Sequence, residues 1–342
     1  MTTRRFVTGL LFVAGLLGAC APPPAQPTAI ASTPIPPSAT AAPTQAPTVA
    51  PTSLPPTSVP PTAKPTEPTP LIAADQMLFE GKVDIGGRSL FLTCYGKGEP
   101  TIVMDGFIWN SGGELLGVMP ELLKVSRACI YTRPNTYRSQ SDPVKETRTS
   151  KDIVADLHAL LGKAGLKPPY ILVGLEFGAL NQTLYAAQYP KEVVGLVLVQ
   201  PEAPGAYQAF LDLVPKSTIA TSIPAQKFRA FWEDFVKGSL ANDPSALDDE
   251  RQVDARVDAL ASEKQVLEVK TLGDLPIHVV RPRALTFESP EPAITLKMEQ
   301  IYFERLSFYT KLSSQVEESV WGADGAGMGG PILRMVDKAR GK

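Results

Sequence analysis

Residues 170–190 read YILVGLEFGALNQTLYAAQYP, and this stretch decides the fold class of the chain. It opens with a short apolar run, Tyr170 to Val173, of the kind that suits a buried parallel strand. Gly174 and Gly178 stand on either side of Glu176, and a helical pattern then extends over 179–189. Because the glycines permit a sharp turn, the stretch predicts a strand that passes directly into a helix.

Similar apolar runs on both sides of this unit predict a mostly parallel sheet. They occupy 101–104, 128–131, 194–199 and 277–280, with helical patterns between them at 113–125 and 150–164. A hairpin with its turn at Gly86-Gly87 precedes the first of them. Strand–helix alternation after an initial hairpin predicts an α/β fold with helices on both faces of the central sheet.

Several blocks of the sequence also carry a family resemblance. They are LTCYGKG (92–98), PTIVM (100–104), RACIYTRP (127–134), IVADLHALL (153–161), YILVG (170–174) and YAAQYP (185–190). Together they make the stretch from Val83 to Pro204 resemble the α/β-hydrolase superfamily, in particular its extracytoplasmic peptidase- and esterase-like members. The resemblance implies an α/β-hydrolase fold for residues 76–342, with a helical cap inserted at about 206–272.

The active site of that family does not carry over to this sequence. The family's nucleophile elbow is Gly-x-Ser-x-Gly, and Glu176 stands here at the serine position. The chain has two histidines, His158 in a predicted helix and His278 in a predicted strand, whereas the resemblance implies a base in the loop at 321–331. Residues 281–284, after the strand where the family usually places its acid, include no carboxylate. Because a catalytic triad acts as a unit, we predict no serine-hydrolase chemistry, no catalytic residue and no cofactor.

The carboxyl ends of parallel strands form the ligand-facing edge of an open α/β sheet. The residues that follow the predicted strands are acidic and aromatic, so we expect an acidic pocket with aromatic residues at that edge. Its candidate residues are Asp105, Trp109, Thr132, Arg133, Tyr137, Glu176, Phe177 and Glu202. The sequence shows no set of acidic residues with the spacing of a metal site, so no metal is predicted.

Three functions remain open for such a pocket. In the first, the domain binds an unknown small-molecule or envelope ligand without catalysis. In the second, it is a hydrolase with a non-standard active site in which Glu176 works with a nearby carboxylate such as Asp105. In the third, it is a structural or partner-binding envelope protein whose pocket is filled, with Arg133 holding Glu176.

Residues 1–20, MTTRRFVTGLLFVAGLLGAC, have the layout of an export signal. The ending Leu17-Gly18-Ala19-Cys20 resembles the bacterial lipobox, which implies cleavage after residue 19 and diacylglycerol on the Cys20 thiol. A plain secretory signal that ends at a cysteine is the alternative, and both Sec and twin-arginine export remain open. Because two or three acyl chains anchor a protein stably, we expect an extracytoplasmic, lipid-anchored protein on a bacterial membrane, at the cell surface or the periplasmic face.

Residues 20–75 predict a lipidated cysteine followed by a disordered stalk. The segment 21–70 is almost entirely Pro, Ala, Thr, Ser and Val, which bury too little apolar surface to offset the entropy of folding. The chain is thus divided into a signal peptide (1–19), a stalk (20–75) and one domain (76–342). Its formal net charge is −2, with 33 basic and 35 acidic residues and no basic run, so nucleic acid is not an expected partner. The membrane is expected as a partner through the lipid anchor.

Cys94 and Cys129 are the cysteines that remain once Cys20 takes the lipid. In the fold that the resemblance implies, the second and fourth strands are neighbours, and Cys94 lies on the second and Cys129 on the fourth. The resemblance therefore implies a Cys94–Cys129 disulfide, which an oxidising compartment allows. Two buried free thiols are the alternative.

Overall fold

The computed structural model describes residues 76–110, 112–213, 223–239, 252–284, 291–322 and 327–342. The expected signal peptide, lipidated Cys20 and stalk lie outside these residues. In the described part of the chain, no helix combines the length and the apolar character that crossing a bilayer requires.

The described residues form eight strands and eight α-helices. The strands are β1 (Met77–Asp84), β2 (Ser89–Tyr95), β3 (Thr101–Asp105), β4 (Ala128–Thr132), β5 (Tyr170–Leu175), β6 (Val193–Val199), β7 (Ile277–Arg281) and β8 (Val316–Val320). The helices are α1 (Met119–Leu122), α2 (Ser150–Lys163), α3 (Phe177–Gln188), α4 (Ala206–Leu213), α5 (Ile223–Phe235), α6 (Ala259–Leu267), α7 (Pro292–Thr310) and α8 (Gly329–Ala339).

All eight strands join one sheet in the order β1-β2-β4-β3-β5-β6-β7-β8. Strand β2 runs antiparallel to both β1 and β4, and every other neighbouring pair is parallel. The predicted fold class, a mostly parallel sheet that follows an initial hairpin, is therefore confirmed. Helices α4, α5 and α6 lie between β6 and β7, within the stretch where the sequence predicts a cap.

Alternate residues of the buried strands pack into two separate hydrophobic cores. On β5, Leu172 belongs to the core that contains α2 and α3, whereas Ile171 and Val173 belong to the core that contains α1 and α8. Because successive side chains of a strand point to opposite faces of the sheet, the two cores lie on its two sides. The near-continuous apolar runs of the sequence thus reflect burial on both faces.

Helix α2 begins where the sequence predicts it. Thr149 and Asp152 form a reciprocal capping box at its first turn. The helix predicted over 113–125 is wrong in form, because a 3-10 helix over Gly113–Val118 leads into the single turn of α1. Gly113, Gly117 and Pro120 lie in this stretch and weaken a continuous α-helix.

The implied disulfide is present in the structure. Cys94 on β2 lies directly opposite Cys129 on β4, and the two sulfurs are bonded at 2.07 Å. Both residues are buried, with exposed fractions of 1% and 0%. The bond therefore ties the antiparallel β2 to the parallel part of the sheet.

Candidate functional site

Glu176 lies at the sharp turn between β5 and α3. Its backbone has φ 49° and ψ −112°, a conformation that costs a residue with a side chain energy and that is common at functional sites. The turn is fixed on both sides, because Glu176 N donates to Val199 O at 3.0 Å and Ala179 N donates to Glu176 O at 2.9 Å. The predicted strand–turn–helix unit is therefore present.

The glycines two positions before and after Glu176 stand where neighbouring atoms leave no room for a side chain. A Cβ on Gly174 would lie 2.5 Å from Ala179 Cα, and one on Gly178 would collide with the backbone carbonyl of Asp105. These distances are shorter than side chains adopt, so α3 packs onto the ends of β5 and β3 only because both positions lack a side chain. This is the glycine pattern by which the sequence predicts the turn.

Asp105, at the end of β3, is fully buried at 0% exposure, and its carboxylate accepts hydrogen bonds from three side chains. Tyr131 Oη donates to its Oδ2 at 2.9 Å, and Asn181 Nδ2 donates to the same oxygen at 2.7 Å. Arg133, 2% exposed, donates to Oδ1 and forms a buried ion pair with it. Both carboxylate oxygens are thus occupied inside the protein.

Arg133 also fixes the loop that follows β3. Its guanidinium donates to the carbonyl oxygen of Phe107 and lies 5.5 Å from the centre of the Phe177 ring. Arg133 also forms the buried ion pair with Asp105 described above. Arg133 and Asp105 together brace the loop beside the elbow.

The hydrogen bonds of Asp105 continue to the helices between β6 and β7. Ser150 Oγ, at the start of α2, donates to Asn181 Oδ1 at 2.7 Å. The backbone N–H of Ser150 donates to Ser262 Oγ at 2.9 Å, and Ser262 lies on α6. A buried polar chain therefore links α6 to the carboxyl end of β3.

Three glutamates lie close together beyond the elbow, and we call Glu176, Glu202 and Glu263 the acidic cluster. Glu202 follows β6, and its N–H donates to Glu176 O at 3.3 Å. Glu263 comes from α6 and accepts the N–H of Tyr207 at 3.2 Å, at the first turn of α4. Glu202 is 8% exposed and Glu263 is 2% exposed, whereas Glu176 is half-buried.

Burial alters the acidity of two of these carboxyl groups. Removal from water raises the pKa of Glu202 from 4.5 to about 7, and the nearby Tyr207 hydroxyl lowers it only in part. Removal from water likewise raises the pKa of Glu263 to about 8, although the N–H groups at the start of α4 favour its charged form. Burial therefore favours the protonated form of both carboxyl groups.

Tyrosines surround the acidic cluster. Burial first, and then the negative charges of Glu202, Glu263 and Glu176, raise the pKa of Tyr207 well above its ordinary value. Burial and the charges of Glu202 and Glu176 raise the pKa of Tyr302 as well. Tyr302 Oη donates to the carbonyl of Pro201 at 2.8 Å, so α7 fixes the loop after β6.

Aromatic side chains of α4 and α5 pack beside this cluster. The Trp109 ring, after β3, meets Phe235 edge-on at 5.2 Å, and Phe235 meets Tyr207 at 5.4 Å. Trp232 and Phe235 are fully buried at 0% exposure. Aromatic packing between α5 and the loop after β3 therefore covers the region of the predicted pocket.

The eight predicted pocket residues fall into separate groups. Glu176 and Glu202 are adjacent, and Asp105, Arg133 and Phe177 form the buried group beneath the elbow. Tyr137 N donates to Trp109 O at 2.7 Å, so these two lie together on neighbouring loops. Thr132 does not join them, because its hydroxyl lies 3.2 Å from Ser141 Oγ.

Both histidines have partners away from the elbow. His158 Nε2 lies 3.1 Å from Glu192 Oε1, and its ring stacks on Tyr189 at 3.8 Å. His278 Nε2, within β7, lies 2.9 Å from Ser319 Oγ, and burial lowers the pKa of this histidine. In the described residues, no group of His, Cys, Asp or Glu side chains has the arrangement of a metal site.

Solved structures with similar architecture include several with enzyme names. The crystal structure of DbjA aligns with a TM-score of 0.51 and 13% identity over 77% of this chain and 98% of its own. The probable hydrolytic enzyme from Pseudomonas aeruginosa PAO1 aligns with a TM-score of 0.49 and 16% identity over 77% and 93% of the two chains. At such identities the likeness concerns the fold alone. The described domain has the α/β-hydrolase fold.

Sequence relatives share only part of their length with this chain, and no protein-family model matches it. A probable transporter, efuK of Hormonema carpetanum, is 26% identical over 225 residues, which are 59% of this chain and 31% of that protein. The protein YqjL of Bacillus subtilis (strain 168) is 32% identical over 72 residues, which are 21% of this chain and 28% of that protein. The chain thus spans about a third of the length of these curated relatives.

Proposed function

We propose that the protein is a membrane-anchored lipoprotein of the bacterial surface whose α/β-hydrolase-fold domain binds a ligand or partner and catalyses no hydrolysis. The observation that carries this proposal is Glu176 at the elbow turn, where the fold presents a serine nucleophile in hydrolases. A glutamate cannot attack as serine does. The two histidines of the chain are occupied on α2 and β7, so no imidazole is placed to act as a base.

A carboxylate pair of Asp105 and Glu176 is the hydrolytic alternative, and the surroundings of Asp105 argue against it. General acid–base catalysis needs a carboxyl group that can reach substrate and exchange a proton. Asp105 is fully buried, and its two oxygens accept from Arg133, Tyr131 and Asn181. Its role in the fold is structural.

Restoring the serine alone tests whether the rest of a hydrolase site is present. The variant Glu176→Ser recreates Gly-x-Ser-x-Gly, and we expect it to remain inactive because no histidine activates the new hydroxyl. The measurement is hydrolysis of short-chain p-nitrophenyl esters by the variant, with a serine esterase as the positive control. Turnover above the buffer rate would mean that an unrecognised base serves this site.

Membrane anchoring rests on the sequence before the domain, in which Cys20 ends a lipobox-like signal. We expect the full chain, expressed in a bacterium, to be found in the membrane fraction and to be released from it by detergent. The variant Cys20→Ala should lose the acyl chains and leave the membrane fraction. Equal partitioning of the two proteins would contradict lipid anchoring at Cys20.

A further inference from the structure

Strand β1 leaves one edge of the sheet open. Among the described residues, β1 has β2 on one side and no strand on the other. The backbone of β2 shows which groups of β1 point to the open side. Ser89 N donates to Asp142 Oδ2 and Phe91 N donates to Ser141 Oγ, and both acceptors belong to the loop after β4, on the far side of β2. These two residues of β2 therefore turn their N–H groups away from β1.

The outward-pointing backbone groups belong to alternate residues of β1. Asp84 lies opposite Ser89, and Lys82 lies opposite Phe91. Because the hydrogen bonds of an antiparallel pair alternate along the strands, the N–H and C=O groups of Lys82 and Asp84 point to the open side, and so do those of Glu80. Such groups can form hydrogen bonds with a further strand.

Large apolar side chains are exposed at the start of the same strand. Met77, Leu78 and Phe79 are 44%, 47% and 40% exposed, and the strand contains no proline that would block pairing. At the other edge of the sheet, β8 carries the adjacent Glu317 and Glu318, whose charges disfavour pairing with the same strand of a second copy. Association through a sheet edge is therefore expected at β1.

The sequence of β1 is complementary to itself in the antiparallel direction. When Gly81 of one copy lies opposite Gly81 of another, Glu80 faces Lys82 of the second copy and Phe79 faces Val83. Glu80 and Lys82 are also the residues whose backbone groups point outward, so the hydrogen bonds form in this register. Opposite charges and aromatic–β-branched pairs both stabilise neighbouring antiparallel strands.

The neighbouring registers oppose like charges. A shift of two residues, which again brings outward-pointing backbone groups together, places Glu80 opposite Glu80 or Lys82 opposite Lys82. Within its own chain, Lys82 Nζ lies 2.6 Å from Asp142 Oδ1, and its side chain is 51% exposed. An ammonium group has three N–H donors, so Lys82 can contact Glu80 of a second copy as well. One register thus satisfies both the charges and the backbone.

We propose that β1 is a self-association surface on which two copies of this chain pair antiparallel about Gly81 and join their eight-stranded sheets into one. The contact is two-fold symmetric and occupies the β1 edge of both copies, so association ends at a dimer. Because a single pair of short strands forms a small interface, we expect a weak dimer whose population depends on concentration. Self-association at β1 is separate from the chemistry of the elbow, so the ester assays neither support nor weaken it.

Sedimentation equilibrium of the full chain in a density-matched detergent measures this association. We expect the average protein mass to rise with concentration from one chain to two and no further. Glu80→Lys alone and Lys82→Glu alone each place like charges opposite one another at both ends of the pairing. Each should weaken dimerisation at least about tenfold.

Two combinations of these changes restore opposite charges. The double variant Glu80→Lys with Lys82→Glu should dimerise as the unaltered chain does. An equimolar mixture of the two single variants should dimerise too, because every altered residue then faces an opposite charge on the other chain. Glu268→Lys, at an exposed position after α6, is the matched control for a change of charge and should leave dimerisation unaltered.

Four results would overturn the self-association surface. They are a chain that stays monomeric at every concentration, a mass that grows beyond two chains, dimerisation that neither single variant weakens, and a folded double variant that dimerises no better than the single ones. A monomer is the result expected if residues before 76 or a different protein occupy this edge. Circular dichroism establishes that each variant is folded, and shared detergent micelles would give the third result.

Discussion

The variant Asp105→Ala is expected to lose about 3–5 kcal/mol of unfolding free energy, because it removes the carboxylate of a buried ion pair. Arg133 is 2% exposed and forms its ion pair with Asp105 inside the protein. Tyr131 and Asn181 lose their acceptor in the same variant. Urea unfolding of the full chain, followed by circular dichroism, measures the change.

Two further variants separate this effect from the loss of any charged residue. Glu268→Ala removes an exposed partner of Lys151 and should change the unfolding free energy by less than about 1 kcal/mol. The double variant Asp105→Leu with Arg133→Met removes both buried charges and should regain part of the loss. An Asp105→Ala variant as stable as the Glu268→Ala control would contradict the buried-pair account.

The second large effect is a dependence of stability on pH that one substitution removes. The pKa of Glu263 is about 8 in the folded chain, against 4.5 without burial. Between these values the folded state holds more protons than the unfolded state, so the free energy of unfolding falls as pH rises through this window. The cost of ionising Glu263 is on the order of 4 kcal/mol at pH 9 and nearly absent below about pH 4.5.

Glu263→Gln should therefore be more stable than the unaltered chain at pH 9 and nearly equal to it at pH 4.5. The amide oxygen of glutamine can still accept the N–H of Tyr207, so the start of α4 keeps its hydrogen bond. Glu202→Gln should act in the same direction over a window that ends near pH 7. Unfolding midpoints at pH 4.5, 7 and 9 test this. A Glu263→Gln variant that tracks the unaltered chain at all three values would refute the account.

The sheet and the elbow follow from local sequence patterns. The apolar runs of β3 to β7 are buried on both faces, and this leaves a strong signal in the sequence. Gly174 and Gly178 mark the turn because neighbouring backbone leaves no room for a Cβ. Strand β8 leaves no such signal, since Val316-Glu317-Glu318-Ser319-Val320 is a partly exposed strand at the end of the sheet.

The acidic cluster was only partly predictable. Glu176 and Glu202 follow strands and could be placed at the ligand-facing edge from sequence order. The sequence does not single out Glu263, because it lies on α6, about sixty residues after Glu202. A glutamate in an amphipathic helix usually faces solvent. Its burial depends on how α6 packs against α4, which no local pattern specifies. Tyr207 was missed for the same reason.

The role of Asp105 also could not be read from the sequence. A carboxylate after a strand suggests a pocket residue, and the sequence alone does not say which donors will surround it. A series of hydrogen bonds runs from Asp105 through Asn181 and Ser150 to Ser262, and these residues come from four separate elements. Its members come together only in the folded protein, where they connect α6 to the sheet.

The central claim is that the elbow of this α/β-hydrolase fold performs no hydrolysis, and one comparison tests it most directly. The measurement is the initial rate of p-nitrophenyl acetate and butyrate hydrolysis by the full chain and by Glu176→Ala, at equal concentration. The account predicts that neither protein exceeds the buffer rate. Turnover by the unaltered chain that Glu176→Ala abolishes would contradict it and make Glu176 a catalytic residue.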